Sequence, residues 1–444
     1  MILGSSVLAH GIGGREDLPL PLGWAIAGAA AAVVVSFLAL AVLWREPRLG
    51  TGGWARGRPL PRAVVTVLDA PAARRVVTAL SLLVTAWVLL ALVLGRDDAR
   101  NPVPWVVYVL LWVGLVPVSV LLGPVWRVLN PLRALHAGLN RLLGLDPREG
   151  LRPLPSRLGY WPAALGLLAF TWLELVAPDN AELSTLRTAV GLYAAVQLFC
   201  ALLWGGRWFD RGDAFEVWSD LFGRLSPLGR RPDGTRVLRP PVVGLDLLPA
   251  APGLAATVVV MLGSTAYDGL AGSTAWVGWV QAQALPRTLL GTAGLLGTVL
   301  LVGLLYAACA AAAGVVAGVG PRGMAAQFAP SVVPVALGYV VAHYYSLLVL
   351  EGQRAFVRLS DPLGTGADWL GTGSLTPSSA LVTPTIVANV MVGSIVVGHV
   401  LGVMLAHDRA VRLFPRRRAV PGQLPLLVLM VSLTCLGLFL LFYD

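Results

Sequence analysis

The chain has 444 residues, of which 57% are hydrophobic and 13% are charged, and its mean hydropathy is +0.76. Soluble domains carry about 25% charged residues, so this composition excludes an ordinary soluble protein. The net charge of +10 comes from arginine, because the sequence contains no lysine. The lack of lysine excludes both a Schiff-base lysine and a phosphate-loop lysine.

Apolar blocks follow one another along the chain, and blocks of about 20 residues are long enough to span a bilayer. The predicted spans cover residues 23–44, 76–94, 103–123, 160–177, 185–204, 252–270, 288–318, 328–350, 382–406 and 424–442. They predict an all-α, polytopic transmembrane helix bundle of about ten spans, in which residues 1–444 form a single integral membrane domain. The expected location is the plasma membrane, with the lipid bilayer as a partner.

The arginines are concentrated in the loops that follow the first, third, fifth and ninth spans. The intervening loops are short or acidic, as in "APDNAELS" at 177–184. Because arginine-rich loops stay in the cytoplasm, this alternation predicts that both termini are extracytoplasmic. Membrane orientation therefore explains the basic charge, and no nucleic-acid partner is expected.

Two of the predicted cytoplasmic loops, 124–159 and 205–251, contain amphipathic segments. "NPLRALHAGLNRLLGL" places its leucines on one helical face, and "GDAFEVWSDLFGRLSPLGRR" begins with Asp213 and Glu216 at the spacing of a capping box. We predict that residues 132–143 and 214–228 form helices along the inner membrane interface. Docking of a partner protein is the alternative use of these helices.

Polar residues interrupt the eighth span, "ALGYVVAHYYSLLVLEGQ" at 336–353. Tyr339, His343 and Ser346 follow one another at four and three residues, so they share one helical face. Asn389 of the ninth span lies at a depth similar to that of His343, roughly 10 Å from the outer surface. We predict that His343 and Asn389 face each other within reach of one hydrogen bond or one bridging water.

The predicted site is a polar cluster in the outer half of the bundle, with His343 as its titrating or catalytic group. The predicted binding residues are Tyr339, Ser346, Asn389, Glu174 and Glu351. A histidine inside the membrane indicates function because its charge changes near physiological pH. The alternative is a network of interhelical hydrogen bonds that only holds the spans together.

The sequence does not identify a cofactor. Haem bound between His343 and His399 is disfavoured, since their depths differ by on the order of 15 Å. A bound divalent metal is an open alternative, with His10 and His343 as candidate ligands together with Glu174, Asp268 or Glu351. The outer loop 351–382 is rich in glycine, serine and threonine, a composition that suits irregular backbone lining a cavity.

Several segments together resemble a group of actinobacterial multi-pass membrane proteins often labelled fenitrothion hydrolase. These segments are "LAHGIGGREDLPLP", "AVVVSFLALAVLWREP", "LLWVGLVPVSVLLGPVWRVLNPLRALH" and "RWFDRGDAFEVWSDLFGRLSPLGRR". The resemblance covers most of the chain and implies a multi-pass membrane protein. The label implies cleavage of an apolar phosphotriester, but no catalytic motif of the group can be placed on numbered residues of this chain.

Three functions follow from these observations, and each predicts a different interior. A permease for a small solute or ion predicts a polar path from the outer cluster through Gln197 to His399. A membrane-embedded hydrolase of small apolar esters predicts a closed outer pocket with His343 as base or metal ligand. An assembly or structural subunit of a membrane complex predicts a dry interior and an exposed apolar flank. The substrate and the oligomeric state stay open.

Overall fold

The structure is a computed structural model that describes residues 21–50, 57–231 and 233–442. Within these ranges, nine helices are long and apolar enough to cross a membrane. They are α1 (Leu22–Leu43), α3 (Pro71–Leu94), α4 (Val103–Leu122), α7 (Leu183–Trp204), α9 (Leu254–Gly272), α11 (Arg287–Ala317), α12 (Met324–Leu359), α13 (Pro384–Leu413) and α14 (Leu424–Phe442). The predicted all-α, polytopic bundle is confirmed.

The remaining predicted span, the fourth in chain order, is the shorter helix α6 (Trp161–Leu175). Its 15 residues extend over about 22 Å, which is less than the roughly 30 Å of a bilayer core. Pro162 lies in the first turn of this helix, where backbone N–H groups have no helical partner. Proline, which lacks an N–H, therefore costs no hydrogen bond at this position. All ten predicted blocks are therefore helical, and one of them falls short of full spanning length.

Shorter elements connect the long helices. The labelled ones are α2 (Arg62–Asp69), α5 (Pro131–Leu142), α8 (Ala214–Gly223) and α10 (Thr274–Gln281). Brief helical turns cover Trp126–Leu129, Phe209–Gly212, Val243–Asp246, Arg416–Arg418 and Pro421–Gln423. A small antiparallel sheet has the strand order β1 (Arg58–Pro59), β3 (Arg236–Leu238), β2 (Leu228–Arg230), so it joins the loop after α1 to the loop after α7.

The predicted arginine-rich loops meet at one end of the bundle, which we call the arginine-rich face. The sheet lies there, Arg127 contacts Asp210, and Arg416 contacts Glu46. The other loops meet at the opposite face, where the Leu183 amide donates to Asp97. This separation agrees with the predicted alternation of loops, while the assignment of a face to the cytoplasm stays a prediction from the arginine bias.

Helix α12 runs through the centre of the bundle and packs along α13. A β-carbon added to Gly398 of α13 would lie 2.5 Å from the Pro334 carbonyl oxygen of α12, so the two backbones can approach this closely only with glycine there. Helix α12 also contains Pro330 within its helical run. Neighbouring helices make such prolines tolerable inside a membrane bundle.

The two predicted interfacial helices differ in their surroundings. In α5, Leu135, Leu139 and Leu142 are exposed, as expected of a helix lying at an interface. In α8, all ten residues are buried, so the prediction of a surface helix at 214–228 is wrong for this segment. The reason is that its polar side chains are paired inside the protein, and no face is left for water.

Helix α8 enters the bundle from the arginine-rich face without crossing it. Trp218 stacks on Trp112, whose position is halfway along α4, with ring centroids 4.0 Å apart. Phe215 contacts Phe170 of α6 and Tyr193 of α7, at centroid distances of 5.0 and 5.7 Å. Helix α8 is thus a re-entrant helix whose aromatic side chains reach the middle of the bundle.

Candidate functional site

Two of the long helices bring ionisable side chains together near the opposite face. Asp268 lies one turn from the end of α9, and His343 and Tyr344 are consecutive residues of α12. Asp268 is 2% exposed and His343 is 9% exposed. Because a buried charge in a membrane protein needs a partner, the arrangement around Asp268 is the natural place to look for a site.

One oxygen of Asp268 receives two partners from α12. The Tyr344 hydroxyl donates to Asp268 Oδ2 at 2.6 Å. His343 Nε2 lies 2.8 Å from the same oxygen, the separation of an ion pair when the ring is protonated. The direction of the ring N–H deviates from that of a regular hydrogen bond, so the contact is mainly electrostatic. The rings of His343 and Tyr344 stand edge to face with centroids 4.8 Å apart.

A second carboxyl group, that of Glu174 in α6, is buried beside this pair. Glu174 interacts electrostatically with Asp268 and with Tyr344, and it is 8% exposed. Its Oε2 atom is buried and has no hydrogen-bond partner among the described residues. We call Asp268, His343, Tyr344 and Glu174 the histidine cluster.

Helix α4 contributes an aromatic wall next to the histidine cluster. Residues Val106–Val113 form π-helical turns, and π-helical turns are frequent at functional sites. Trp112 belongs to these turns and its indole interacts with Tyr344, although its Nε1 atom makes no hydrogen bond of regular geometry. The wide turns therefore carry an unsatisfied indole N–H close to the cluster.

The predicted site residues on α12 separate into different surroundings. The Tyr339 hydroxyl donates to the Leu433 carbonyl of α14, and its ring lies 5.9 Å from that of His399. Ser346 is buried one turn beyond His343. Glu351 lies nearer the opposite face, where it accepts from Trp105 Nε1 at 2.8 Å and pairs with Arg354. Of the predicted binding residues, Glu174 is the one that joins His343 and Asp268.

The predicted contact between His343 and Asn389 is wrong. Asn389 is exposed on the outer surface of α13, while His343 is buried and turned towards α9. Helix α13 packs on α12 through the face that carries Val387, Ala388 and Met391, and this rotation directs Asn389 away from the bundle. His10, the other metal candidate, lies outside the described residues.

The polar path predicted for a permease is not continuous in the described part of the chain. Gln197 accepts from Trp208 Nε1 at 2.6 Å, in a separate aromatic cluster near the arginine-rich face. His399 is fully buried, and its Nδ1 bonds to the Ile395 carbonyl at 2.8 Å. Neither side chain contacts the histidine cluster.

A small cavity of about 20 Å³ borders His343, between α9, α12 and α14. This volume holds roughly one water molecule. Its lining is apolar apart from Thr265, Tyr339 and His343. No group of three metal-ligating side chains is assembled within residues 21–50, 57–231 and 233–442.

A second buried group of acids lies on the arginine-rich face around α8. Glu216 receives two hydrogen bonds from Arg133, at 2.9 and 2.6 Å, and Arg127 lies 3.5 Å from it. Asn130 donates to Asp213, which caps α8. We call Arg127, Arg133, Asp210, Asp213 and Glu216 the arginine cluster. Burial raises the pKa of Glu216 to about 7, although Arg133 opposes this effect.

Comparison with known proteins adds no relative from which to transfer a function. No protein-family model matches the chain, and no curated protein or solved structure is significantly similar to it.

Proposed function

We propose that the protein is a proton-coupled permease for a small solute, and that the histidine cluster binds the coupling proton. The observation that carries the proposal is the meeting of His343 and Tyr344 on one oxygen of buried Asp268, with the Glu174 carboxyl beside them. Ionisable groups inside a membrane bundle commonly belong to ion paths and proton relays. Histidine suits this role because its proton leaves near physiological pH.

The chemistry of the cluster explains how one proton would control the bundle. With His343 protonated and Asp268 ionised, the two charges compensate each other. Loss of the proton leaves a buried carboxylate facing a neutral ring and a second carboxyl group, and an uncompensated buried ion costs several kcal/mol. The closed arrangement of α9 and α12, in which the polar path expected of a permease is interrupted at Gln197 and His399, therefore fits the protonated state. Proton release favours separation of the two helices, which the proposal requires for a path to open.

Charge movement in reconstituted protein tests the proposal without knowledge of the solute. Proteoliposomes on a solid-supported membrane are exposed to a pH jump, and the displaced charge is recorded. We expect a transient in the wild type that falls to the lipid background in Asp268→Asn. A panel of amino acids, sugars, organic acids and cations then identifies the solute, which increases the current only under a pH gradient. A full transient in folded Asp268→Asn protein contradicts the proposal.

A second candidate is a membrane-embedded hydrolase of small apolar esters. The observation that favours it is the apolar cavity beside His343, since Asp268 can orient the ring as a general base for a water there. The fenitrothion-hydrolase resemblance points to an apolar phosphotriester as substrate. A phosphotriester exceeds the present cavity, so α9 and α14 would have to separate to admit it.

Hydrolysis of fenitrothion by the purified protein in detergent separates the two candidates. A hydrolase releases the phenol with a rate that falls to background in His343→Gln and persists in His136→Gln, which alters a buried histidine of α5. No release above protein-free micelles removes this candidate. An assembly role becomes the best remaining explanation if neither the pH jump nor the ester gives a signal.

A further inference from the structure

We infer that the arginine-rich end of α13 contains a second proton-binding site, in which His407 is held as an imidazolium. His407 is 1% exposed and is contacted by two elements from other parts of the chain. Its Nδ1 lies 3.0 Å from Gln423 Oε1, and its Nε2 lies 2.8 Å from the Trp44 carbonyl oxygen. This inference goes beyond the proposed function and does not depend on it.

The orientation of the Gln423 amide is fixed by a second contact. Its Nε2 donates to the Ala419 carbonyl at 2.5 Å. If the amide were rotated by half a turn, its oxygen would face that carbonyl oxygen at the same distance, and two acceptors would repel each other. The atom that faces His407 is therefore the amide oxygen, which accepts and cannot donate.

Both ring nitrogens of His407 thus face acceptors. A neutral imidazole has one N–H and one lone pair, so it satisfies only one of these two oxygens. The lone pair of the other nitrogen would point at an oxygen within 3.0 Å inside a buried site. An imidazolium has two N–H groups and satisfies both acceptors. The geometry is that of a bound proton.

A buried carboxylate lies next to this ring. Asp408 is fully buried, and its Oδ1 accepts from Trp44 Nε1 at 2.9 Å and from the backbone amides of Arg48 and Leu49 at 2.6 and 3.3 Å. Three donors therefore meet on one oxygen of Asp408, while its Oδ2 atom is buried without a hydrogen-bond partner among the described residues. Trp44 is therefore held at both ends, by His407 at its carbonyl and by Asp408 at its indole.

The other charged groups around His407 have partners of their own. Arg412 makes a two-pronged ion pair with Asp246, at 2.8 Å for each oxygen. Arg409 donates to the carbonyls of Gln327, Asp246 and Leu248. Its Nε atom lies 3.6 Å from Asp246 Oδ1, and its charge also interacts with Asp408 and with Tyr306 of α11. Arg416 pairs with Glu46, Arg48 covers the Trp44 ring, and Phe37 of α1 places its ring against His407.

The bound proton lets His407 of α13 donate a hydrogen bond to the Trp44 carbonyl in the loop after α1 while it also donates to Gln423. Loss of the proton removes one of the two hydrogen bonds of His407 and sets a lone pair against an oxygen. Where the bond to the Trp44 carbonyl is the one lost, the loop at 44–49 is held by Asp408 and by the exposed ion pair between Arg416 and Glu46.

Nitrogen NMR of the full chain in lipid nanodiscs tests the inference directly. The chain has five histidines, so selective ¹⁵N-histidine labelling gives a spectrum that single variants can assign. At about pH 7 we expect a ring with both nitrogens protonated that is absent in His407→Gln and present in both His136→Gln and His343→Gln. Burial lowers the pKa of His136, which makes it a matched neutral control. A His407 ring with one protonated and one bare nitrogen at that pH overturns the inference.

Hydrogen exchange of the wild type provides a second test that needs no variant. The amides of Arg48 and Leu49 report on the contact with Asp408. After correction for the intrinsic effect of pH on exchange, we expect their protection to fall at least about tenfold as the imidazolium signal disappears, which equals 1.4 kcal/mol. Equal protection on both sides of that titration shows that His407 does not control the loop.

Discussion

The histidine cluster and the arginine cluster both bury two or more carboxyl groups, yet they differ in the cations that face them. Glu216 accepts hydrogen bonds from two N–H groups of Arg133, and the guanidinium of Arg133 keeps its charge at any physiological pH. Among the described residues, the cation that faces Asp268 is His343, which can lose its charge. The cation of the arginine cluster is therefore permanent, which suits a role in holding α8, while the cation of the histidine cluster exists only when His343 carries a proton.

Removal of an arginine gives the largest expected effect and tests the structural half of this comparison. Arg133→Met leaves Glu216 and Asp213 buried without their main cation, which costs about 3–5 kcal/mol. We expect a large fall in the melting temperature in detergent. Arg141→Met on the same helix is the control, because Arg141 is exposed and has no ion pair among the described residues. Similar melting temperatures for the two variants would mean that the arginine cluster does not hold α8.

The pH dependence of stability sharpens the comparison further. The folded pKa of Glu216, about 7, lies above its ordinary value of 4.5, because burial disfavours the charged form. Stability from this residue is therefore fully present below about pH 4.5 and is lost as the pH rises through about 7, by about 3 kcal/mol in total. We expect the melting temperature of the wild type to fall over this interval more steeply than that of Glu216→Gln. Parallel curves contradict the assignment.

A smaller effect is expected from the tyrosine of the histidine cluster. Tyr344→Phe removes one interhelical hydrogen bond to Asp268, and such bonds contribute about 0.6–1.7 kcal/mol in membrane proteins. We expect a modest fall in the melting temperature with the pH-jump transient retained, because His343 and Asp268 keep their contact. Tyr345→Phe is the matched control, since its exposed hydroxyl bonds to the Leu381 carbonyl outside the cluster. Complete loss of the transient in Tyr344→Phe would place the tyrosine itself on the proton path.

The smallest expected effect concerns Asn389, which was predicted from the sequence to belong to the site. Its side chain is exposed on α13, so Asn389→Ala should leave both the melting temperature and the pH-jump transient unchanged. Thermal denaturation and charge recording on the same preparation check this. A lost transient would show that Asn389 turns into the bundle during the working cycle.

The sequence predicts the helices well, because each apolar block has the length that a bilayer demands. It predicts His343 as the centre of the site, since a histidine in an apolar span is unusual. Its partners depend on how neighbouring helices are rotated, and one chain gives no information on that rotation. Depth alone therefore places Asn389 in the predicted site, and the helical face shared by Tyr339, His343 and Ser346 does not include Tyr344.

Asp268 and helix α8 show what the sequence alone does not predict. Asp268 is visible in the sequence as one of three acidic residues that could lie beside His343, but nothing in the sequence selects it over Glu174 and Glu351. The segment 214–223 has the apolar stripe of an interfacial helix, and its burial results from arginines that lie about 80 residues earlier in the chain. The spacing of apolar residues identifies the apolar face of a helix, but distant residues such as these arginines determine whether its polar face is exposed to water or buried.

The central claim is that the histidine cluster exchanges a proton, and His343→Gln tests it most directly. Glutamine keeps hydrogen-bonding capacity but cannot become a cation. The pH-jump transient of reconstituted His343→Gln is compared with that of His136→Gln, at matched melting temperature and protein density. The account predicts a background signal in His343→Gln and a wild-type signal in His136→Gln. A wild-type transient in folded His343→Gln protein would contradict it and leave His343 as an interhelical contact.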